Sequence, residues 1–490
     1  MRDVDGVTSV INELDIIQNP QQMTKQQTQN IPPRYGFWSG ALFGTVTGMA
    51  SLLTFQYLTG ILRRPRLLSK AIVLGKEEFD HPETLGIFIA AESLRSGIQV
   101  RRLTHNLSKK VLHAGYRNFS ESWARDFGFA AYGLLTLKQY DTVKETLEAF
   151  LWHQTSGGQL PVKLHSMSIA TRYLYSFFGR EQPTEILLRP KYISGHGAPS
   201  LDGQALLVIA ALAYTQETGD IVFLENHWAE MRLAMKWLEQ YRKGTEEDPL
   251  LYQGAFADWA DSIARHGRVL YTNVVYWKAL AEMAVAATRL DLQQEAVDYF
   301  VQAENVLRAI NRHFWRQDLG YFITSEELAQ LSSDGNLLAI AWGLTKPEQA
   351  ECILAVMEEA GMAEPVPTRV THPSYPRHLI ALENLLGGMG NYHTDASWLW
   401  IGAWHIIALT KTGRLEDAQK LVTRVLEVVV RDRQVNEVHA PSGKPLSSRW
   451  YTPEAPLTWN AGMIVYACHI FDSRQQEQRN ILSLFNKTAE

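Results

Sequence analysis

Leu409-Thr-Lys-Thr-Gly-Arg-Leu-Glu-Asp417 ends one apolar helical stretch and starts an amphipathic one, and the same helix-turn-helix phrase recurs along the chain. Its other copies are Leu135-Thr-Leu-Lys-Gln-Tyr-Asp141, Ala213-Tyr-Thr-Gln-Glu-Thr-Gly-Asp220, Ala287-Thr-Arg-Leu-Asp291 and Leu344-Thr-Lys-Pro-Glu348. The spacing, about 60 to 80 residues, is far above the roughly 34 residues of helical-pair solenoids. Between the phrases run long stretches of 3.6-residue periodicity, such as Asp202 to Gly219, Ile221 to Arg242, Tyr271 to Leu290 and Trp398 to Gly413. About 400 residues divided by that spacing make about six helical hairpins. The predicted fold is all-α, an (α/α)6 toroid over residues 75–475 with apolar inner helices. An open superhelix is the alternative, but its loops are usually short and regular, whereas these are long and rich in Trp, Gly, His and Asp.

Composition narrows the function. The chain has 490 residues, 46% hydrophobic and 20% charged, and a net charge of −5 from 47 basic and 52 acidic side chains, so nothing electrostatic calls for nucleic acid. Its two cysteines, Cys352 and Cys468, make neither a disulfide framework nor a multi-cysteine zinc site, which favours a reducing compartment.

Residues 1–33 are rich in glutamine and too polar to offset ordering entropy, and are expected to form a flexible tail; residues 476–490 form a second polar tail. Tyr35 to Leu62 runs 28 residues without a charge, long enough for a transmembrane helix, so residues 34–62 are assigned to one. Gly36, Gly40, Gly44 and Gly48 recur every fourth residue, a face on which two such helices can pack as a homodimer. Arg63, Arg64, Arg66 and Lys70 outweigh Lys25 and Arg34 on the other flank, which puts the large C-terminal region on the cytoplasmic side.

Four loops concentrate polar and aromatic side chains: Glu121-Ser-Trp-Ala-Arg-Asp126, Gly254-Ala-Phe-Ala-Asp-Trp-Ala-Asp-Ser262, Gly390-Asn-Tyr-His-Thr-Asp-Ala-Ser-Trp398 and Asn436-Glu-Val-His-Ala-Pro-Ser-Gly-Lys444. Cleaving a glycoside needs an acid for the leaving oxygen, a carboxylate to activate water and an aromatic platform for the sugar. Asp258, Trp259, Asp261, Glu437 and Trp459 supply such a set. A single Asp-Trp pair more often marks a helix cap beside a core aromatic, so the co-occurrence of the loops carries the reading. Nucleophile-elbow, zincin and P-loop motifs are missing, Asp334-Gly335-Asn336 lacks further calcium ligands, and no cofactor or metal is implied.

Trp123-Ala-Arg-Asp126, Asp258-Trp-Ala-Asp261, Asn391-Tyr-His393 with Trp398, Glu437 with Pro441-Ser-Gly443, and Thr458-Trp-Asn-Ala-Gly462 resemble, in this order, the six-hairpin glycosidases. The nearest patterns are alkaline/neutral invertases, the amylo-α-1,6-glucosidase domain of glycogen-debranching enzymes, and mannosylglycerate hydrolases. The resemblance implies an inverting glycoside hydrolase of α-glucosidase type, with Asp261 as acid and Glu437 as base. Asp258 and Glu454 are the competing candidates for those two roles. It implies a sugar subsite formed by Trp123, Arg125, Asp126, Gln159, Asp258, Trp259, His393, Trp398 and Trp459.

The chain departs from the invertases after Asp261, where Ser262-Ile263 replaces two arginines, so sucrose is a poor expectation. Two rival readings are a non-catalytic toroid that binds glycan or protein, and a lyase or epimerase with a Tyr or His base.

Overall fold

The computed structural model describes residues 81–488 apart from 117, 168–170, 172–185 and 246. The expected tail 1–33, the assigned span 34–62 and the glycine ladder lie outside the described residues. Among the described residues no helix is long and apolar enough to cross a membrane.

The described chain begins with α1 (Pro82–Ser96), a hairpin of β1 (Ile98–Arg102) and β2 (Ser108–Leu112), β3 (Ser122–Trp123), α2 (Ala124–Thr136) and α3 (Tyr140–Trp152). Next come β4 (Lys163–His165), β5 (Arg189–Lys191), α4 (Leu201–Thr218), α5 (Ile221–Glu239), α6 (Leu270–Arg289) and α7 (Gln293–Phe314). Then follow β6 (Trp315–Arg316), β7 (Tyr321–Ser325), β8 (Leu328–Ser332), α8 (Ser333–Ala341), α9 (Pro347–Glu359) and β9 (Thr371–His372). The last elements are α10 (Leu382–Leu386), α11 (Leu399–Lys411), α12 (Leu415–Asp432) and α13 (Thr458–Thr488).

All five recurring phrases fall at turns between paired helices: α2 and α3, α4 and α5, α6 and α7, α8 and α9, α11 and α12. At the second, Gly219 ends α4 in the left-handed region (φ +71°) and the Asp220 side chain accepts from the Phe223 amide 3.0 Å away to start α5.

Burial separates two kinds of helix. α11 is apolar nearly all round and buried at every residue from Leu399 to Thr410, as an inner helix must be. Its partner α12 buries one stripe, Ala418, Leu421, Val422, Val425, Leu426, Val428 and Val429, and turns its charges outward. Among the described residues the inner helices α2, α4, α6, α8, α11 and α13 each pack on the next, and α13 returns to α2, closing a ring. The closing seam runs backbone to backbone: a Cβ on Gly133 would stand 2.3 Å from the carbonyl oxygen of Gly462. α1, the first described helix, packs beside α12 and α13 and so completes the last hairpin from the other end of the sequence.

The structure corrects the all-α expectation in one respect. Among the described residues nine short strands form antiparallel sheets β1-β2, β3-β4-β5 and β6-β7-β8-β9 in the connections between helices. They are only 2 to 5 residues long, too short to impose a visible period-2 pattern on the sequence. The polar stretch from 476, expected as a tail, continues α13 to Thr488.

Candidate active site

The candidate residues other than Gln159 share one structural property: each stands in the first turn of an inner helix or in the segment that leads into it. Trp123, Arg125 and Asp126 begin α2, Asp258 to Asp261 precede α6, His393 and Trp398 precede α11, and Glu437 precedes α13. These N-termini meet in space. Arg125 at the start of α2 bonds Asp202 at the start of α4, and Tyr271 at the start of α6 donates to the same Asp202 at 3.2 Å. The Asn460 side chain at the start of α13 accepts from the Trp400 amide at the start of α11.

The two aspartates of the Asp-Trp-Ala-Asp segment have different surroundings. Asp258 is fully buried and committed: its carboxylate accepts from Arg265 Nε at 2.7 Å, from Gln253 Nε2 at 2.7 Å and from the Ala260 amide at 2.9 Å. Burial pushes its carboxyl up, against the opposing pull of Arg265. Asp261 is half-buried, and among the described residues its carboxylate has no hydrogen bond or ion pair. Burial pushes it up to about 6, against the pull of Arg125 and His196 and with the help of the neighbouring aspartates Asp258 and Asp202.

The two glutamates also divide. Glu454 is buried and accepts from the main-chain amides of Tyr116 (3.0 Å), Phe119 (3.2 Å) and Asn118, so it fastens those three residues. Glu437 accepts from side-chain hydroxyls instead: Tyr392, and Tyr451 at 2.5 Å, with the Glu454 amide at 2.7 Å. Burial pushes Glu437 up to about 7, and these three donors hold it from rising further.

An aromatic cluster joins the two carboxylate segments. Trp259 packs edge-on against His393 (4.9 Å between centroids), Trp398 (5.5 Å), Trp400 (4.9 Å) and Trp459 (6.2 Å). His393 adjoins the Tyr392 ring, whose hydroxyl reaches Glu437. His393 Nδ1 also lies 2.8 Å from Ser262 Oγ, next to Asp261. Burial drives the His393 imidazole well below its ordinary range, so it stays neutral. At the rear, Ser397 and His439 exchange backbone hydrogen bonds of 2.8 and 2.9 Å. The four loops singled out in the sequence therefore meet at one end of the ring.

Several residues sit differently from what the resemblance implies. Arg125, expected to orient a substrate, gives Nε and Nη2 to Asp202 at 2.5 and 3.0 Å. Trp259, Trp398 and Trp459, expected as a platform, are buried against one another and form the floor beneath the site. Gln159 donates to the Tyr192 carbonyl at 2.9 Å and so braces the main chain. Asp126 is half-buried beside Arg125; burial pushes its carboxyl up to about 7, with Asp261 adding repulsion. Trp123 carries the Lys163 ammonium 4.3 Å above its ring. Among the described residues the indole nitrogens of Trp123, Trp400 and Trp459 are buried without an acceptor.

Sequence reading missed Asp202, Arg265, Asp334, Tyr392 and Tyr451. Asp334 accepts from the Trp259 indole and from Arg265 Nη2 at 2.8 Å, so Asp334-Gly-Asn is a buried anchor. Tyr392 stood inside a quoted motif, while Tyr451 carried no signal at all.

The comparisons agree with the ring of helical hairpins. The model of the bacterial alpha-L-rhamnosidase 6 hairpin glycosidase domain matches residues 166–363. No curated protein matches the chain in sequence. A rhamnosidase from Klebsiella oxytoca with rhamnose bound shares the fold at 14% identity and TM-score 0.58; the match covers 79% of this chain and 64% of that one. The GH63 mannosylglycerate hydrolase from Thermus thermophilus in complex with glucose matches at 13% identity and TM-score 0.57, over 77% of this chain and 98% of that one. A wild-type glycosidase matches at 14% identity and TM-score 0.54, over 80% and 99%. The chain thus spans 64% of the length of the rhamnosidase.

Proposed function

We propose that the chain, whose residues 166–363 match the six-hairpin glycosidase domain, is an inverting glycoside hydrolase in which Asp261 is the general acid and Glu437 the general base. The contrast between the two aspartates carries this reading. Asp258 has given its oxygens to Arg265, Gln253 and the Ala260 amide, whereas Asp261 keeps its carboxyl unbonded and near 6. A raised carboxylic acid without protein partners is the form that can deliver a proton to a glycosidic oxygen. Glu437, held by two tyrosine hydroxyls, accepts the proton of the attacking water, and water adds to the anomeric carbon as the bond to the leaving group breaks.

The substrate we propose is a terminal α-glucoside or the end of a small glucan. The half-buried Trp123, whose indole donor has no acceptor among the described residues, suits a sugar hydroxyl. The family match over residues 166–363 favours a second reading, an α-L-rhamnoside in the same site. Turnover of 4-nitrophenyl α-D-glucopyranoside and 4-nitrophenyl α-L-rhamnopyranoside, each with Asp261→Asn as control, separates the two. Hydrolysis of neither, alongside failure on natural disaccharides, would favour a glycan-binding toroid.

We further propose that residues 35–62 tether the domain to a membrane with its site on the cytoplasmic side, and that Gly36, Gly40, Gly44 and Gly48 pair two chains. The uncharged run and the arginines that follow it support this. Full-length protein should sediment with membranes and a chain lacking residues 1–66 should not; full-length protein that stays soluble without detergent would remove the tether.

A further inference from the structure

Three segments meet beside the loop that carries Asp261. The 254–262 loop carries Phe256 five residues before it; the 193–199 loop lays the His196 ring on Phe256, with centroids 4.8 Å apart and planes 29° from parallel. The segment entering α10 runs alongside, its Ala381 amide donating to the Ser262 carbonyl at 2.8 Å, and its Glu383 carboxylate lies 3.6 Å from His196 Nε2. Phe256 adopts φ +59°, a region that a bulky aromatic residue enters only under constraint. Strain of this kind collects at functional sites. The ring it turns out is neither in the core nor in the aromatic floor: Phe256 is half-buried and His196 is exposed.

We propose that Phe256 and His196 form a leaving-group subsite that takes a ring-bearing aglycone, either a second sugar or an aryl group. The proposal rests on Asp261 being the acid. The acid stands on the leaving-group side of the scissile bond, since its proton goes to the oxygen that departs. Half-exposed rings beside the acid's own loop are therefore placed to meet the aglycone, and a stacked Phe-His pair offers a flat apolar face to a ring while leaving a small alkyl group little to touch. Glu383, 3.6 Å from Nε2, steadies the imidazole edge. The influence of His196 on Asp261 fits this proximity: after burial, which raises that carboxyl, His196 follows Arg125 as a charge that opposes the rise.

The test compares leaving groups on one glycone. Wild type, Phe256→Ala and His196→Ala are assayed on 4-nitrophenyl, glucosyl and methyl α-glucosides, and on the 4-nitrophenyl and methyl α-L-rhamnosides, with thermal unfolding to check the fold. The ratio of kcat/KM for a ring-bearing over a methyl leaving group should fall about tenfold in each variant, mainly through KM. A fall confined to the glucosyl arm or to the 4-nitrophenyl arm assigns the site to sugars or to aryl groups. An unchanged ratio in both variants overturns the subsite and leaves the hydrolase reading standing. The His196 ring NMR signals, followed while 4-nitrophenol or glucose is added to wild type and to Asp261→Asn, give a readout without turnover. Shifts in a protein that hydrolyses none of these substrates would keep the binding site and defeat the hydrolase reading. No shift with either ligand, together with an unchanged ratio, defeats the subsite.

Discussion

Arg265 Nε lies 2.7 Å from the Asp258 carboxylate with neither side chain exposed, and Nη2 of the same guanidinium reaches Asp334 at 2.8 Å. This buried triad pins the loop that carries Asp261 to the first turn of α8, so an aspartate that reads as catalytic in sequence acts in the fold as a strut. Asp258→Asn takes away one of the two carboxylates that hold the buried Arg265 and should cost about 3–5 kcal/mol, whereas Asp261→Asn should unfold at a urea concentration no lower than that of wild type and lose most of its turnover. Urea unfolding beside a glycosidase assay reads both. Full activity in Asp261→Asn, or an unchanged midpoint in Asp258→Asn, would reverse the assignment.

The two carboxyls should also set the pH profile. With Asp261 at about 6 and Glu437 at about 7, the form that has Asp261 protonated and Glu437 ionised is a minority species, and its population peaks midway, near pH ~6.5. Tyr392 and Tyr451 stabilise the ionised form of Glu437, so Tyr392→Phe or Tyr451→Phe should move the Glu437 limb of the kcat/KM profile to higher pH. A purely structural role for the tyrosines would lower activity without moving that limb.

Much of the fold was legible because it is local. A phrase such as Leu409 to Asp417 encodes its own turn, and the inner and outer helices differ in how far apolar residues extend round them. The site was legible only where a motif carried its own chemistry, as in Asp258-Trp-Ala-Asp261. Which aspartate is free depends on Arg265 and Asp334, and the second of these lies 69 residues beyond the first. Likewise Glu437 and Glu454 differ in their donors, side-chain hydroxyls for the first and main-chain amides for the second. Such distinctions arise from long-range packing, to which periodicity and spacing are blind.

Glu437 also makes a stability claim whose sign can be checked. Its folded value, about 7, lies above the ordinary 4.5, so the native state holds the proton more tightly than the unfolded chain. That contribution is fully present below pH ~4.5 and is lost as pH rises through ~7. Glu437→Gln removes the penalty and should raise the stability relative to wild type by up to roughly 3 kcal/mol at pH ~8, with no gain at pH ~4. Thermal melts at both pH values decide it; a variant less stable at the higher pH would mean that the tyrosine hydrogen bonds outweigh the cost of burying the charge.

The ring depends on one close seam. Because a Cβ on Gly133 would meet the Gly462 carbonyl oxygen at 2.3 Å and the Gly462 Cα at 2.5 Å, Gly133→Ala must push α2 from α13. A loss of about 1–3 kcal/mol is expected, against almost none for Gly254→Ala, whose Cβ position is open. Equal melting temperatures for the two variants would show that the seam yields freely.

The stereochemistry of the first-formed sugar tests the central assignment most directly. An acid at Asp261 and a base at Glu437 with a water between them require carboxyls roughly 6.5 to 9.5 Å apart and attack from the face opposite the leaving group. Proton NMR taken in the first minutes of hydrolysis of an α-glucoside by wild-type protein should therefore show the β-anomer accumulating before mutarotation. The α-anomer as first product would mean retention through a covalent intermediate and would contradict Glu437 as a base that activates water.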